Sequence, residues 1–343
     1  MIPESVLFTL NQQHLRLLAI SLVLAAGVYL GFALIGGLPA LGQLINRLGI
    51  SGVATLLACS LANYLLRFAR WAFYLHSLQH RLPGLRHLGY YLSGFALTTS
   101  PGKAGETIRS FYLKRHGVAY TDSLASFFVE RFLDVIIITL LATLIFVSHR
   151  DYQLFVILVL ITLLLLLPLL QSRLPLRLFH FLARKLAGSR LSRLFMHTAT
   201  LLQQAHRLLL LRRLYPGLLL GALAWLIQGM AFYYLLQISG SSLSVNAALG
   251  IYALSLLAGA LSFIPGGIGA TEGAMALLLL AHGVEREIAF SLPIINRVTT
   301  LWFAVALGLL ANTLLAWRGI PAPDENTGVK PATSHTTEAG KAD

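Results

Sequence analysis

The sequence predicts an all-α protein that crosses a membrane several times, and two observations support this. Of the 343 residues, 57% are hydrophobic and only 11% are charged, against about 25% charged residues in a typical soluble domain. The hydrophobic residues also gather in long runs, and a helix needs about 20 apolar residues to cross the hydrocarbon core. A polytopic helical membrane protein is therefore expected, with no second folded domain.

Six apolar runs are long enough to be full spans. They are residues 15–38, 53–78, 123–147, 154–170, 214–238 and 288–317. The first run has no basic segment before it and is longer than the apolar part of a cleaved signal peptide, so it is expected to remain as a span. Residues 1–320 are expected to form the transmembrane domain. Residues 321–343 are rich in Pro, Thr, Ala, Gly and charge, which predicts a disordered tail.

Two further apolar runs are interrupted by Pro and Gly, the residues that most readily break a helix. The first reads SGFALTTSPGKAGET (93–107) and the second reads AGALSFIPGGIGATE (258–272). Non-helical backbone at membrane depth is tolerated only where protein or water satisfies its hydrogen bonds. Both runs are therefore expected to be re-entrant hairpins. Their turns are expected at Pro101, Gly102 and Gly105, and at Pro265, Gly266 and Gly269.

Basic residues predict the orientation, because cytoplasmic loops carry an excess of Lys and Arg. The loops 80–87 and 171–213 are basic, whereas the loop 239–246 has no charge. This places both termini in the cytoplasm and the spans in the cytoplasmic (inner) membrane. The first hairpin then enters from the cytoplasm and the second from the outside.

The segment 171–213 holds much of the basic excess. The net charge is +13, and no Asp or Glu occurs from residue 152 to residue 271. Basic residues interleaved with Leu and Phe predict amphipathic helices on the anionic inner leaflet, although ordinary solvated loop helices fit the pattern equally well. Nucleic acid is not an expected partner, because this basic segment lies between two spans.

The two interrupted runs share a pattern that indicates an internal repeat. Each contains Pro-Gly-x-x-Gly followed by a Glu, and each Glu is followed 25 residues later by an Arg: Glu106 by Arg131, and Glu272 by Arg297. If the hairpins enter from opposite sides, the halves 53–170 and 214–317 form an inverted repeat. Such repeats are typical of transporters whose substrate site lies near the midplane.

Charged residues inside spans and hairpins are costly, so they are expected to face a partner or a cavity. The candidates are Arg67, Arg70, Glu106, Glu130, Arg131, Asp134, Glu272 and Arg297. In one reading they line a polar cavity, where guanidinium groups contact phosphate and Glu106 or Glu272 contacts a cationic group or carries protons. In the other reading, Glu106–Arg131 and Glu272–Arg297 are structural clamps. Arg109 is expected near the cytoplasmic surface, as a determinant of topology.

Other chemistry finds little support in the sequence. The eleven His residues form no metal-ligand pattern, and Cys59 is the single cysteine, so no metal, cofactor or catalytic residue is predicted. Two other functions remain open. A lipid-modifying enzyme would have to use Glu130 with Asp134, and a scaffold for envelope lipid or polysaccharide synthesis would use the segment 171–213.

A resemblance to a known family is carried by three stretches, SPGKAGETIRSFYL, ASFFVERFLDVI and FIPGGIGATEGA. They resemble the transmembrane region of lysylphosphatidylglycerol synthases, which also occurs as stand-alone proteins often called flippase-like. The resemblance covers about residues 15–316. It marks Pro101, Gly105, Glu106, Glu130, Arg131, Asp134, Pro265, Gly266, Gly269 and Glu272.

The resemblance implies a flippase-like fold and transport of a lipid or a lipid-linked molecule. In two-part relatives a cytoplasmic domain makes the lysyl-lipid, and the membrane part is thought to flip it outward. This chain ends soon after its last predicted span, so it is expected to lack that domain and not to aminoacylate anything. The expected partner is an anionic or zwitterionic phospholipid or a polyprenyl-phosphate-linked molecule. The sequence is also compatible with a homo-oligomer.

Overall fold

A computed structural model describes residues 12–99, 109–146, 153–172, 174–185 and 190–318. The described residues form twelve α-helices, and the all-α prediction is confirmed. The helices are α1 (Gln12–Gly36), α2 (Leu38–Ser77), α3 (Gly84–Ser93), α4 (Arg109–Lys114), α5 (Tyr120–Thr143), α6 (Gln153–Gln171), α7 (Leu174–Lys185), α8 (Arg190–Leu208), α9 (Leu211–Ile238), α10 (Val245–Leu261), α11 (Ala270–Ala281) and α12 (Arg286–Trp317).

Among the described residues, four helices are long and apolar enough to cross a membrane: α1 over Ala19–Gly36, and α2, α9 and α12. Their outward faces expose large apolar side chains such as Leu34, Leu219 and Leu314, which suits contact with lipid. The prediction of a polytopic membrane protein is therefore confirmed. The predicted spans 123–147 and 154–170 correspond to α5 and α6, and their crossing of the membrane stays a prediction.

Helix α2 is broken near its first third. Its 40 residues would extend about 60 Å as one straight helix, twice the thickness of the hydrocarbon core. Gly49 interrupts it with φ 59° and ψ −177°, a conformation that only glycine adopts readily. The part after Gly49 carries Arg67 and Arg70, and the predicted span 53–78 begins just beyond the break.

The second interrupted run forms two short helices that pack against each other. With 17 and 12 residues, α10 and α11 are about 26 and 18 Å long, and both are shorter than the hydrocarbon core. The chain reverses between them through a 3₁₀ turn at Pro265–Gly267, where Gly266 has φ 66°. The break predicted at Pro265 and Gly266 is therefore where the helices part. Re-entry of this pair from the outside stays a prediction.

The first interrupted run is only partly within the described residues. Helix α3 continues into a 3₁₀ helix at Gly94–Leu97, whereas Pro101, Gly102, Gly105 and Glu106 lie outside the described residues. Thr99, the last residue described in the first run, lies close to the turn of the second run, because a Cβ atom placed on Gly266 would lie 3.4 Å from the Cα atom of Thr99.

The main core lies between α2, α5, α9, α10, α11 and α12. Its buried side chains include Leu56, Ile137, Phe232, Ile251 and Leu292. A second cluster, around Trp71 and Tyr91, joins α2 to α3, α4 and α12. The polar residues of the candidate site therefore lie inside a closely packed helical bundle.

In the basic segment 171–213, the described residues form α7, α8 and the start of α9, which agrees with the helices predicted there. Helices α7 and α8 pack against each other, and α8 also packs against α5. Ala205 and Leu208 are buried there beside Val129 and Leu133. At least part of the apolar face of α8 is therefore covered by the bundle.

Helix α12 crosses the first interrupted run closely at Gly308. A Cβ atom there would overlap the backbone nitrogen of Ala96 and the carbonyl carbon of Phe95, and backbone cannot move aside as a flexible side chain can. We expect Gly308→Ala to lower the free energy of unfolding by about 1–3 kcal/mol, measured as a lower midpoint of thermal unfolding in detergent micelles. Gly42→Ala is the matched control, because Gly42 is also helical and has no atom within 4 Å of such a Cβ. It should be neutral or slightly stabilising, and an equal loss in both variants would contradict the close approach.

Candidate functional site

Three helices bring six charged side chains together, and we name this group the arginine–carboxylate cluster. It consists of Arg67 and Arg70 from α2, Arg109 from α4, and Glu130, Arg131 and Asp134 from α5. The spacing in the sequence explains part of the convergence, because residues three or four apart share one face of a helix. Five of the eight predicted site residues therefore belong to one cluster.

Asp134 is the centre of the cluster. Its carboxylate accepts hydrogen bonds from Arg70 Nη2 at 2.7 Å and from the indole Nε1 of Trp225 at 3.0 Å. Arg131 Nη2 lies 3.2 Å away and Arg67 Nη2 lies 3.8 Å away. One carboxylate on α5 thus fixes side chains from α2 and α9.

Glu130 binds Arg109, which the sequence analysis placed wrongly. Arg109 was expected near the surface, but its side chain is 1% exposed and donates from Nη2 to Glu130 at 2.9 Å. Its guanidinium carbon also lies 3.7 Å from the ring centroid of Trp71 and 4.9 Å from that of Tyr91. A carboxylate and two aromatic faces together compensate the burial of this charge.

The cluster carries excess positive charge. Its four arginines and two carboxylates give a formal charge of +2 among the described residues. His87, on α3 outside the candidate spans, adds no charge near pH 7, because burial and the charges of Arg109 and His116 lower its pKa to about 4. Buried charge that is not balanced is costly, so a bound anion would stabilise this region.

A second, electrically balanced pair lies at the start of α11. Arg297 Nε donates to Glu272 Oε1 at 2.7 Å, and the backbone N–H of Gly269 donates to Glu272 Oε2 at 2.7 Å. Arg297 Nη2 also donates to the carbonyl of Gly266. Glu272 therefore caps α11 while it binds α12, which is the geometry expected of the structural clamp.

Two aromatic residues that the sequence analysis missed extend this pair to α1. Tyr29 donates its hydroxyl hydrogen to Glu272 at 3.3 Å, and Trp302 Nε1 donates to the Tyr29 oxygen at 2.9 Å. The corresponding pair Glu106–Arg131 stays a prediction, because Glu106 lies outside the described residues. The carboxylate that the described residues place beside Arg131 is Asp134.

A cavity of about 80 Å³ lies between the two groups, and we name it the central cavity. Arg67 and Arg297 line it from α2 and α12. Its other polar or aromatic lining residues are Asn63, Tyr64, Phe95, Thr98, Trp225, Gln228, Tyr252 and Thr300. The lining contains no acidic side chain from the part of the chain that the structure describes. Asn63 and Gln228 were missed by the sequence analysis, although Asn63 lies one helical turn before Arg67.

Helix α12 changes its winding beside the cavity. A π turn at Val298–Trp302 directly follows Arg297 and contains the lining residue Thr300. The Tyr64 hydroxyl donates to the Thr300 carbonyl at 2.5 Å. Single π turns inside α-helices are frequent at functional sites, so this turn marks the cavity as a candidate site.

The protein family described as the lysylphosphatidylglycerol synthase TM region matches residues 17–308. This range contains the arginine–carboxylate cluster, the Glu272–Arg297 pair and the central cavity. The chain belongs to this family. The resemblance inferred from the three sequence stretches is thereby confirmed.

Membrane proteins of two other organisms are similar to part of this chain. The chain is 33% identical over 98 residues to a UPF0104 membrane protein of Methanothermobacter thermautotrophicus, and 31% identical over 97 residues to one of Pyrococcus horikoshii. The matches cover 29% and 28% of this chain, and 29% of each relative. These names state a location in a membrane and no activity, and they agree with the multi-pass fold.

The central position of Asp134 can be tested by Asp134→Asn. The change leaves Arg70 and Arg131 beside a neutral amide and raises the formal charge of the cluster to +3, so we expect a loss of about 3–5 kcal/mol in the free energy of unfolding. The measurement is thermal unfolding in detergent micelles. Asp122→Asn is the matched control on the same helix, because the partner of Asp122 is His80 in a partly exposed pair, and it should cost less than about 1 kcal/mol. Equal losses in the free energy of unfolding would show that the cluster contributes no more to stability than the partly exposed pair does.

Proposed function

We propose that this protein moves a lipid with an ionic head group between the leaflets of the cytoplasmic membrane. The observation that carries the proposal is the central cavity. Its polar lining includes Arg67 and Arg297, and it lies inside a bundle whose outer faces are apolar. A head group in such a cavity would exchange its hydration for these polar contacts while its acyl chains stay in the lipid.

The interrupted helices support a transport mechanism. Thr99 of the first run lies close to the turn of the second run at Gly266, and α12 has its π turn on the cavity wall. Transporters with inverted repeats use discontinuous helices near the midplane in this way, and one repeat rocks against the other around the site. We infer that the halves 53–170 and 214–317 are these repeats.

The family supports a lipid as the substrate. Its description names the membrane region of synthases that make an aminoacylated phospholipid. The resemblance of the three stretches implies that this region flips the product. In our proposal the present chain also moves a lipid between leaflets, with a head group that the family does not fix, and performs no aminoacyl transfer.

The contacts of the carboxylates argue against the alternative of a lipid-modifying enzyme. Glu130 is bonded to Arg109, and Asp134 to Arg70 and Trp225. Neither carboxylate lines the central cavity, so neither is placed to exchange a proton with a substrate there. The scaffold alternative is weakened in the same way, because α8 packs against α5 and buries Leu208.

Lipid movement in proteoliposomes tests the proposal. Lipids labelled on an acyl chain would be loaded in both leaflets, and an impermeant reductant would report the fraction that reaches the outer leaflet. The head groups would include phosphatidylglycerol, phosphatidylethanolamine, an aminoacylated phospholipid and a polyprenyl phosphate. We expect wild-type protein to accelerate at least one class above protein-free liposomes. If it accelerates none, the translocase proposal is wrong.

Arg67→Gln is the informative variant. Arg67 makes the longest contact with Asp134, which retains Arg70 and Arg131, so the fold should tolerate the change. Loss of a charged hydrogen bond to the head group should slow movement roughly tenfold or more. Arg47→Gln is the control, since Arg47 lies on the same helix and is exposed. Equal rates for the two variants, with both folded by gel filtration, would exclude Arg67 from the transport site.

A further inference from the structure

The charged side chains that line the central cavity are all basic among the described residues. Arg67 and Arg297 line it, whereas their partners Asp134 and Glu272 are bonded to them without being part of the lining. Arg67 also belongs to the cluster with a formal charge of +2 among the described residues. Among the described residues, the lining of the cavity therefore carries two guanidinium groups and no carboxylate that could receive a cation.

Arg297, which lines the cavity, retains donor capacity. Its Nε atom is used by Glu272 and its Nη2 atom by the Gly266 carbonyl. Its Nη1 atom makes no hydrogen bond to any residue that the structure describes. A guanidinium group in this state can donate to an oxyanion without giving up its structural contacts.

The neutral part of the wall suits an oxyanion as well. The amides of Asn63 and Gln228 and the hydroxyl of Tyr252 are groups that can donate hydrogen bonds. The volume of about 80 Å³ equals that of two to three water molecules. It accommodates a compact oxyanion such as phosphate.

We propose that the central cavity binds the phosphate of a lipid whose head group carries no amine, and that it selects anionic lipids over zwitterionic and cationic ones. The inference rests on the proposed transport function and names its substrate class. An ammonium group in the cavity would lie against Arg67 and Arg297 with no acidic side chain of the described residues to receive it. Repulsion of this kind is a common source of specificity.

The first arm of the test measures selectivity in proteoliposomes. Four lipids with the same acyl chains would be compared: phosphatidate, phosphatidylglycerol, phosphatidylethanolamine and lysylphosphatidylglycerol. We expect the two anionic lipids to move at least about tenfold faster than the other two. If lipids move but the amine-bearing head groups move as fast, the selectivity is wrong while the transport function stands.

The second arm changes the charge of the wall and keeps its shape. Gln228→Glu places a carboxylate in the cavity, so movement of phosphatidate should fall at least about tenfold. Gln237→Glu is the matched control, because it makes the same change on the same helix at an exposed position. Equal rates in both variants and in wild type would contradict an anion site at the central cavity.

The third arm measures binding and separates the two proposals. Trp225 lines the cavity, so its fluorescence in detergent micelles should respond to dihexanoyl phosphatidate and not to dihexanoylglycerol. The response should be absent in Trp225→Phe.

The outcomes of this arm separate the transport function from the phosphate site. If no lipid moves but this response is seen and Gln228→Glu abolishes it, the transport function is wrong and the phosphate site stands. Absence of any response overturns the site. A response to inorganic phosphate as strong as that to phosphatidate would show that the ligand is the free ion and would overturn the lipid part of the inference.

Discussion

The hydrogen bond between Arg70 and Asp134 sets the positions of the other groups in the site. Asp134 also accepts from Trp225 and faces Arg131 and Arg67, so α2, α5 and α9 are held around a single carboxylate. Helix α9 accommodates this arrangement at Gly221, where a side chain would overlap the guanidinium group of Arg70. In lipid the hydrophobic effect does not drive helix association, which relies on van der Waals packing and interhelical hydrogen bonds. The geometry of these three helices therefore depends strongly on polar contacts that cannot be remade with water.

The Glu272–Arg297 pair and the arginine–carboxylate cluster, which lie beside the cavity, differ in how their buried charge is compensated. Glu272 and Arg297 balance each other, and the backbone N–H of Gly269 and the carbonyl of Gly266 complete their hydrogen bonds. The arginine–carboxylate cluster does not reach balance within the described residues. One side of the cavity is thus a rigid support that needs no ligand, whereas the other side holds positive charge that a ligand could neutralise. Such asymmetry allows a site to bind an anion and still keep its shape when empty.

Site residues could be predicted from the sequence where a charged residue interrupts an apolar run. They were missed where the residue is uncharged or lies among other basic residues. Arg67, Arg70, Glu130 and Asp134 stand out because they interrupt apolar runs, and Glu272 with Arg297 because their spacing repeats. Arg109 lies among other basic residues, so it resembled a topology signal, and only the tertiary packing on Trp71 reveals its burial. Tyr29, Trp225 and Gln228 carry no charge and had no distinguishing signal. The break at Gly49 was missed because a lone glycine is compatible with either a continuous or a broken helix.

The π turn of α12 places a constraint on chain length in addition to residue type. Such a turn holds one residue more than an α turn, and each residue rotates a helix by about 100°. The part of α12 before the turn directs Arg297 toward Glu272, and the part after it directs Asn312 toward the carbonyl of Ser93. Removal of one residue between them would rotate these two faces relative to each other, so either the contact of Arg297 or that of Asn312 would be lost. The distance along the chain from Arg297 to Asn312 is therefore as much a part of the site as the residues themselves, and homologous chains are expected to vary in sequence there before they vary in length.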